Sequence, residues 1–290
     1  MKLVSTITFS LLLALFLHTD SKGVTSEMES VNSENKAPAN DEPISLIPHL
    51  SDCMPVEAMC MRKAKEKPIV FREDFNGSSI DESIWTIGTW TEHEGQLGRE
   101  RCYIEDGYLN LLLINDNGTC LSSAIQSNQD FLYGKWEVRL KASSVYGVLN
   151  SFYTIDWNNR STTDPNDGTK QEIDIEFLTH SFGENKGQVH IAVHAQGYKS
   201  FDINPDIDLG FDPSVDFHIW GFNITPKHIE WFVDGKTLYT YVYDERDVKI
   251  NSPYQLKLNH WTKKDWILGP PESGVVSRYL VDWIQFTPYE

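Results

Sequence analysis

Glu172-Ile173-Asp174-Ile175-Glu176 sets three carboxylates at alternate positions with only isoleucine between them. Side chains of a strand alternate between its faces. The segment therefore reads as a strand with Glu172, Asp174 and Glu176 on one face and Ile173, Ile175 and Phe177 turned to a core. Three like charges on one face repel each other, and such a row usually exists because chemistry or a cation requires it. The Cα atoms of Glu172 and Glu176 stand about 13 Å apart at about 3.3 Å per residue, and two glutamates leaning together on a curved sheet bring their carboxyl groups much closer. Carboxyl pairs about 5 to 5.5 Å apart suit cleavage of a glycosidic bond through a covalent intermediate, and pairs about 6.5 to 9.5 Å apart suit direct displacement by water. The row can reach the shorter distance. Asp174, between the two, is placed to keep one neighbour protonated as a general acid. Two plainer readings compete: a solvated acidic face on an edge strand, and a calcium site. The isoleucines, with Phe177 and Leu178 after them, indicate a central strand, where three acids seldom stand without use.

Positioning that row takes a sheet, and the rest of the chain reads as strand after strand. Apolar and β-branched runs fall at 69–73, 108–114, 122–127, 134–142, 148–157, 171–178, 188–194, 217–225, 228–233, 236–243, 254–261 and 279–288. Turn signals separate them: Asp-Gly at Asp106, Asp167 and Asp234, Asn-Gly at Asn117, and proline at 205, 213, 226, 253 and 270. Long helical periodicity is nearly absent. Many short strands with frequent turns imply an all-β fold, a two-sheet antiparallel β-jelly-roll sandwich with a concave substrate cleft.

The first residues, Met1-Lys2 and then an apolar run to Leu17, have the form of a secretory signal peptide, read as 1–23, and the run is too short to anchor in a bilayer. Residues 24–67 are rich in Ser, Glu, Asn, Pro and Ala and read as a flexible acidic leader. The globular domain is then 68–290, in a chain expected to be secreted, extracellular or periplasmic, and monomeric. A formal charge of −17 with no basic stripe argues against nucleic acid and favours a neutral partner. Four cysteines in an exported chain favour disulfides, with three pairings open, of which Cys102–Cys120 and Cys53–Cys60 are preferred; zinc is disfavoured by the spacing. Sequons stand at Asn76, Asn117, Asn159 and Asn223.

Gln171 to Leu178, QEIDIEFL, resembles the active-site strand of glycoside hydrolase family 16, especially its lichenase-type endo-β-1,3-1,4-glucanases. The resemblance continues, in order, through SSAIQSNQDFLYGKWEVRLKAS (122–144), GVLNSFYT (147–154), FHIWGFNITPKHIEWFVDGK (217–236), YQLKLNHW (254–261) and YLVDWIQFTP (279–288). It implies a polysaccharide substrate, Glu172 as nucleophile, Glu176 as general acid/base and Asp174 as the helper between them, with no cofactor required for catalysis. It further implies cleft roles for Asn259, Trp261 and Trp266, and a structural calcium bound through Asp282, which reads equally well as an ordinary hydrogen-bonding carboxylate. Tyr153 on the preceding strand is read as lining the cleft. Trp136, Trp220, Trp231 and Trp283 are read as core. Where lichenases carry Trp two residues before the nucleophile this chain has Lys170, and Trp157 in the preceding loop is a candidate replacement. Ala192, His194 and Thr179 also depart from the lichenase pattern; His194 falls where the family contacts sugar at the cleavage point. These departures leave the catalytic residues intact and bear on substrate choice. Two other functions fit the same fold: a cell-wall transglycosylase of xyloglucan or glucan type, and a carbohydrate-binding jelly roll without activity.

Overall fold

A computed structural model describes residues 69–92, 95–156, 171–195, 201–203, 205–244 and 249–290. The segments read as signal peptide (1–23) and leader (24–67), with Cys53, Cys60, Trp157, Asn159, the Asp167-Gly168 turn and Lys170, lie outside the described residues. In chain order the strands are β1 (Phe71–Glu73), β2 (Trp85–Ile87), β3 (Thr91–Glu92), β4 (Gly95–Leu97), β5 (Cys102–Glu105), β6 (Tyr108–Asp116), β7 (Thr119–Ser127), β8 (Gly134–Lys141) and β9 (Leu149–Ile155). They continue as β10 (Gln171–Leu178), β11 (Gln188–Ala195), β12 (Phe201–Ile203), β13 (Asp206–Asp208), β14 (His218–Ile224), β15 (His228–Val233), β16 (Lys236–Val242), β17 (Gln255–Trp261) and β18 (Val276–Pro288). One turn of helix, α1 (Lys264–Ile267), follows β17. Among the described residues no helix is long and apolar enough to cross a membrane.

Two antiparallel sheets form the expected all-β jelly-roll sandwich. One runs β2-β7-β17-β9-β10-β11, with β12 and β13 both pairing along β11. The other runs β6-β18-β8-β14-β15-β16, with β5 beyond β6 and β1 also on β18. Strand β7 joins them: its first half pairs with β6 and β4, its second with β17 and β2. The hairpin turns follow the sequence signals. Asp106-Gly107, Asn117-Gly118 and Asp234-Gly235 all have positive φ at both residues, from 48° to 94°. Only a turn with both central residues left-handed continues the strand twist, and Asn or Asp before Gly adopts it at least cost.

β10 is central, between β9 and β11, and its alternation is the one the sequence implies: Ile173, Ile175 and Phe177 are fully buried. Phe177 meets Trp220 of the other sheet edge-on at 4.8 Å, and Phe152 of β9 stacks on Phe222 at 5.1 Å. Burying each such side chain contributes about 2 kcal/mol. Trp231, also on the other sheet, donates its indole N–H to the Asp174 carbonyl at 3.0 Å, so the sandwich holds the middle of β10 by a directed bond as well as by packing.

Two expectations are corrected. Trp136, Trp220 and Trp231 are fully buried, but Trp283 faces outward with the Arg72 guanidinium 4.4 Å above its ring. The Cys102–Cys120 bridge is also not formed, and no disulfide occurs among the described residues. The Cys102 sulfur lies 3.5 Å from the Ala124 carbonyl, four residues along β7 from Cys120. That offset is about 13 Å at 3.3 Å per residue, well beyond the Cα spacing of about 4.4 to 6.8 Å that a disulfide spans. Burial pushes the Cys102 thiol up to about 12, so the reactive thiolate is scarce. Alkylation of the folded protein at pH 8 is therefore expected to leave both cysteines unmodified, and alkylation after unfolding without reductant to modify both. A Cys102–Cys120 linked peptide in a non-reduced map would contradict this.

Candidate active site

Residues directly opposite each other on paired strands share a face, so the register of the paired strands lays out the carboxylate face as three transverse rows. The first runs Gln255, Ile155, Glu172 and His194. The second runs Gln126, Lys257, Tyr153, Asp174 and Ala192. The third runs Ala124, Asn259, Ser151, Glu176, His190 and Asp206. Glu172 and Glu176 are half-buried and Asp174 is buried, which gives the two outer carboxyls access to a ligand and makes the middle one part of the floor.

Each outer carboxylate faces a histidine across β11, and Ala192 between them leaves room over Asp174. His194 Nε2 is 3.5 Å from Asp174 Oδ2. Glu172, Asp174 and His194 each offer a ligand atom within 4.8 Å of the others, close enough to share a cation. His190 Nδ1 is 2.7 Å from Asp206 Oδ1. On the other side Asn259 is buried and accepts a hydrogen bond from the Ser151 hydroxyl, so the group expected to meet a sugar is oriented from the neighbouring strand β9. Tyr153 stands beside Asp174, also largely buried. Thr179 binds the Val148 carbonyl through its hydroxyl at 2.6 Å and accepts from the Val148 amide at 3.1 Å, a tie between the ends of β10 and β9.

The far end of the face is closed by a second, smaller apolar cluster. Leu178, Leu149 and Trp261 lie in one row beyond Glu176, covered by Ile267 from α1, with Trp266 packed against them. Trp261 is only 2% exposed. It therefore cannot offer a ring face to a sugar, which corrects its expected stacking role; it supports Trp266, whose ring lies 6.0 Å away and is half-buried.

Asp282 does not fit the calcium role. Its carboxylate is bound by the Arg139 guanidinium, which also lies 4.8 Å over Phe217. Calcium needs six to eight oxygen ligands, and a cationic side chain already holds this one.

Three residues of this face were not among those expected. His190 was legible: it precedes His194 by four residues and so shares its face. Asp206, on a three-residue strand, and Trp90, in an irregular segment, carry no periodic signal. Trp90 is 38% exposed, and the Lys257 ammonium lies 5.1 Å over its ring. With Gln126, Gln255 and Lys257 it lines a cavity of about 320 Å³.

Comparison with known proteins places the chain in a family. The β-glucanase of Bacillus subtilis (strain 168) is 32% identical over 166 residues, 56% of this chain and 61% of that protein. The β-glucanase of Paenibacillus polymyxa is 30% identical over 189 residues, 64% of this chain and 72% of that protein. In three dimensions the chain is similar to a prokaryotic β-1,3-1,4-glucanase (lichenase) derived from a mouse hindgut metagenome. The TM-score is 0.59 at 25% identity, covering 76% of this chain and 99% of that one. Residues 89–285 match the pattern of Glycosyl hydrolases family 16, and the chain belongs to that family.

Proposed function

We propose that this chain is an exported, monomeric endo-β-glucanase that cleaves internal β-glucosidic bonds of a neutral polysaccharide with retention of configuration. The observation that carries the reading is the row itself: two accessible glutamates on either side of a buried aspartate, on a central strand pinned through the Asp174 carbonyl. Glu172 attacks the anomeric carbon as the bond to the departing oxygen breaks, and Glu176 gives that oxygen its proton. Glu176 then takes a proton from water, whose oxygen displaces Glu172 from the same carbon. Each step inverts the anomeric centre, so the product retains the starting configuration. Asp174 orients both glutamates from the floor. Asn259 and His194 meet hydroxyls beside the cleaved bond, Tyr153 borders the site, and the rings of Trp90 and Trp266 stack on sugar faces.

A panel of β-glucans, xyloglucan, agarose and carrageenan, with product sizing and proton NMR of the first-formed anomer, tests the proposal. The expected result is rapid shortening of a β-glucan with the β-anomer appearing first. First appearance of the α-anomer would overturn the mechanism. Chain exchange without net shortening in excess acceptor would replace hydrolysis by transglycosylation, and binding without new reducing ends would replace the enzyme by a lectin-like module.

A further inference from the structure

We propose that His190, held by Asp206, is the specificity-determining residue for the sugar that departs on the Glu176 side of the cleaved bond. The inference rests on the reading of Glu176 as the acid/base. Glu176 sits in the middle of its transverse row. One end, Ser151 and Asn259, is internally hydrogen-bonded, and we assign it to the sugar attacked by Glu172; the other end is His190 and Asp206. The departing oxygen receives its proton from Glu176, so the ring attached to that oxygen lies toward the second end.

The imidazole there is built for a ligand. A carboxylate can only accept, so the 2.7 Å contact with Asp206 puts the hydrogen on Nδ1 and leaves Nε2 to a ligand. Among the described residues Nε2 of His190 has no hydrogen-bond partner, in contrast to the buried His260, whose two nitrogens are bonded to the Leu111 carbonyl and the Ser277 hydroxyl. The His190 ring is also met edge-on by Trp266, at 5.3 Å and 81°, from an element that follows β17. Asp206 from one side and Trp266 from another thus fix the ring, and a group oriented before binding costs little to order. Side-chain exposures of 14% for His190 and 50% for Asp206 leave the pair reachable from solvent. The ligand chemistry that fits is a neutral sugar hydroxyl, which can donate to a neutral Nε2 or accept from a protonated one. By microscopic reversibility the same pair receives an acceptor sugar when one enters in place of water.

The test compares two substrates with the same glycone, one a β-glucan oligosaccharide and the other an aryl β-glycoside whose leaving group is a nitrophenolate. In His190→Ala, kcat/KM on the oligosaccharide is expected to fall about 10- to 100-fold, the size of one lost hydrogen bond to a fixed partner. That fall should exceed the loss on the aryl glycoside by about tenfold. Asp206→Asn should show the same difference with smaller amplitude, and His190→Gln should recover part of it by returning a polar group. Should His190→Ala not fold, Asp206→Asn, altering a half-exposed side chain, makes the same comparison. Equal losses on both substrates, or none on either, would overturn the inference while leaving the glucanase reading intact. A wild-type protein inert toward both would overturn that reading and this one with it.

Discussion

Glu172→Gln is expected to lower turnover on a β-glucan by about 10³-fold or more, and Glu176→Gln by about 10²- to 10⁴-fold, with the thermal midpoint of each variant close to that of the wild type. The separation of activity from stability follows from the fold. Both side chains lie on the half-buried face of β10, while its core contacts belong to Ile173, Ile175 and Phe177, and Gln keeps the volume of Glu. Removing one of three neighbouring carboxylates also relieves repulsion. Azide distinguishes the two roles. In Glu176→Gln with an activated aryl substrate the covalent intermediate still forms, and azide attacks it, giving a β-glycosyl azide after two inversions. In Glu172→Gln azide can only take the place of the missing nucleophile, and one inversion gives the α-azide. Exchanged stereochemistry would exchange the assignments, and wild-type turnover in either variant would remove that residue from the mechanism.

The catalytic strand was legible because every level of constraint agrees there. Alternation over QEIDIEFL defines its two faces, and β10 runs from Gln171 to Leu178 as the pattern implies. The Asp-Gly and Asn-Gly turns were legible for the same local reason. What was not legible depends on contacts distant in sequence. Strands β2, β3, β4, β12 and β13 have two or three residues each, too few for a period; β2, β4, β12 and β13 exist because a longer strand offers its edge, and β3 pairs with β4. Trp283 continues the inward alternation of Tyr279 and Val281, but the register shifts between Val281 and Trp283, so Asp282 is an extra residue and everything after it changes face. A one-residue slip is sufficient to turn a core tryptophan outward. Trp261 was correctly placed on the carboxylate face; its burial comes from α1 folding back over it, and nothing in the polar start of that segment, Thr262 to Asp265, announces a lid. The face of His190 follows from its place four residues before His194, but its partner Asp206 lies on a three-residue strand with no period of its own.

His260 predicts how the fold responds to acid. It lies on β17 on the face opposite Asn259, fully buried between the sheets. Its Nδ1–H donates to the Leu111 carbonyl at 2.9 Å, and its Nε2 accepts from the Ser277 hydroxyl at 2.9 Å, which in turn shares a 2.5 Å hydrogen bond with Ser143. Those partners satisfy a neutral ring, and burial lowers its pKa from 6.5 to about 4. The folded state therefore binds this proton less readily than the unfolded state does. Stability from the neutral ring is complete above pH 6.5 and is lost as pH falls toward 4, by about 3 kcal/mol over the window. Carboxylates add their own loss mainly below pH 5, so the difference between the wild type and a His260 variant from pH 6.5 to 5 isolates this ring. Denaturant unfolding at pH 7, 6, 5 and 4.5 should show wild-type stability declining from the upper end of that range. His260→Gln should begin about 1 to 3 kcal/mol lower at pH 7, because Gln cannot satisfy both Leu111 and Ser277, and then decline less steeply. Parallel curves for the two proteins would show that this histidine does not control the acid limb. A wild-type curve flat to pH 5 would show that its proton is taken up as readily in the fold as out of it, against the packing that surrounds it.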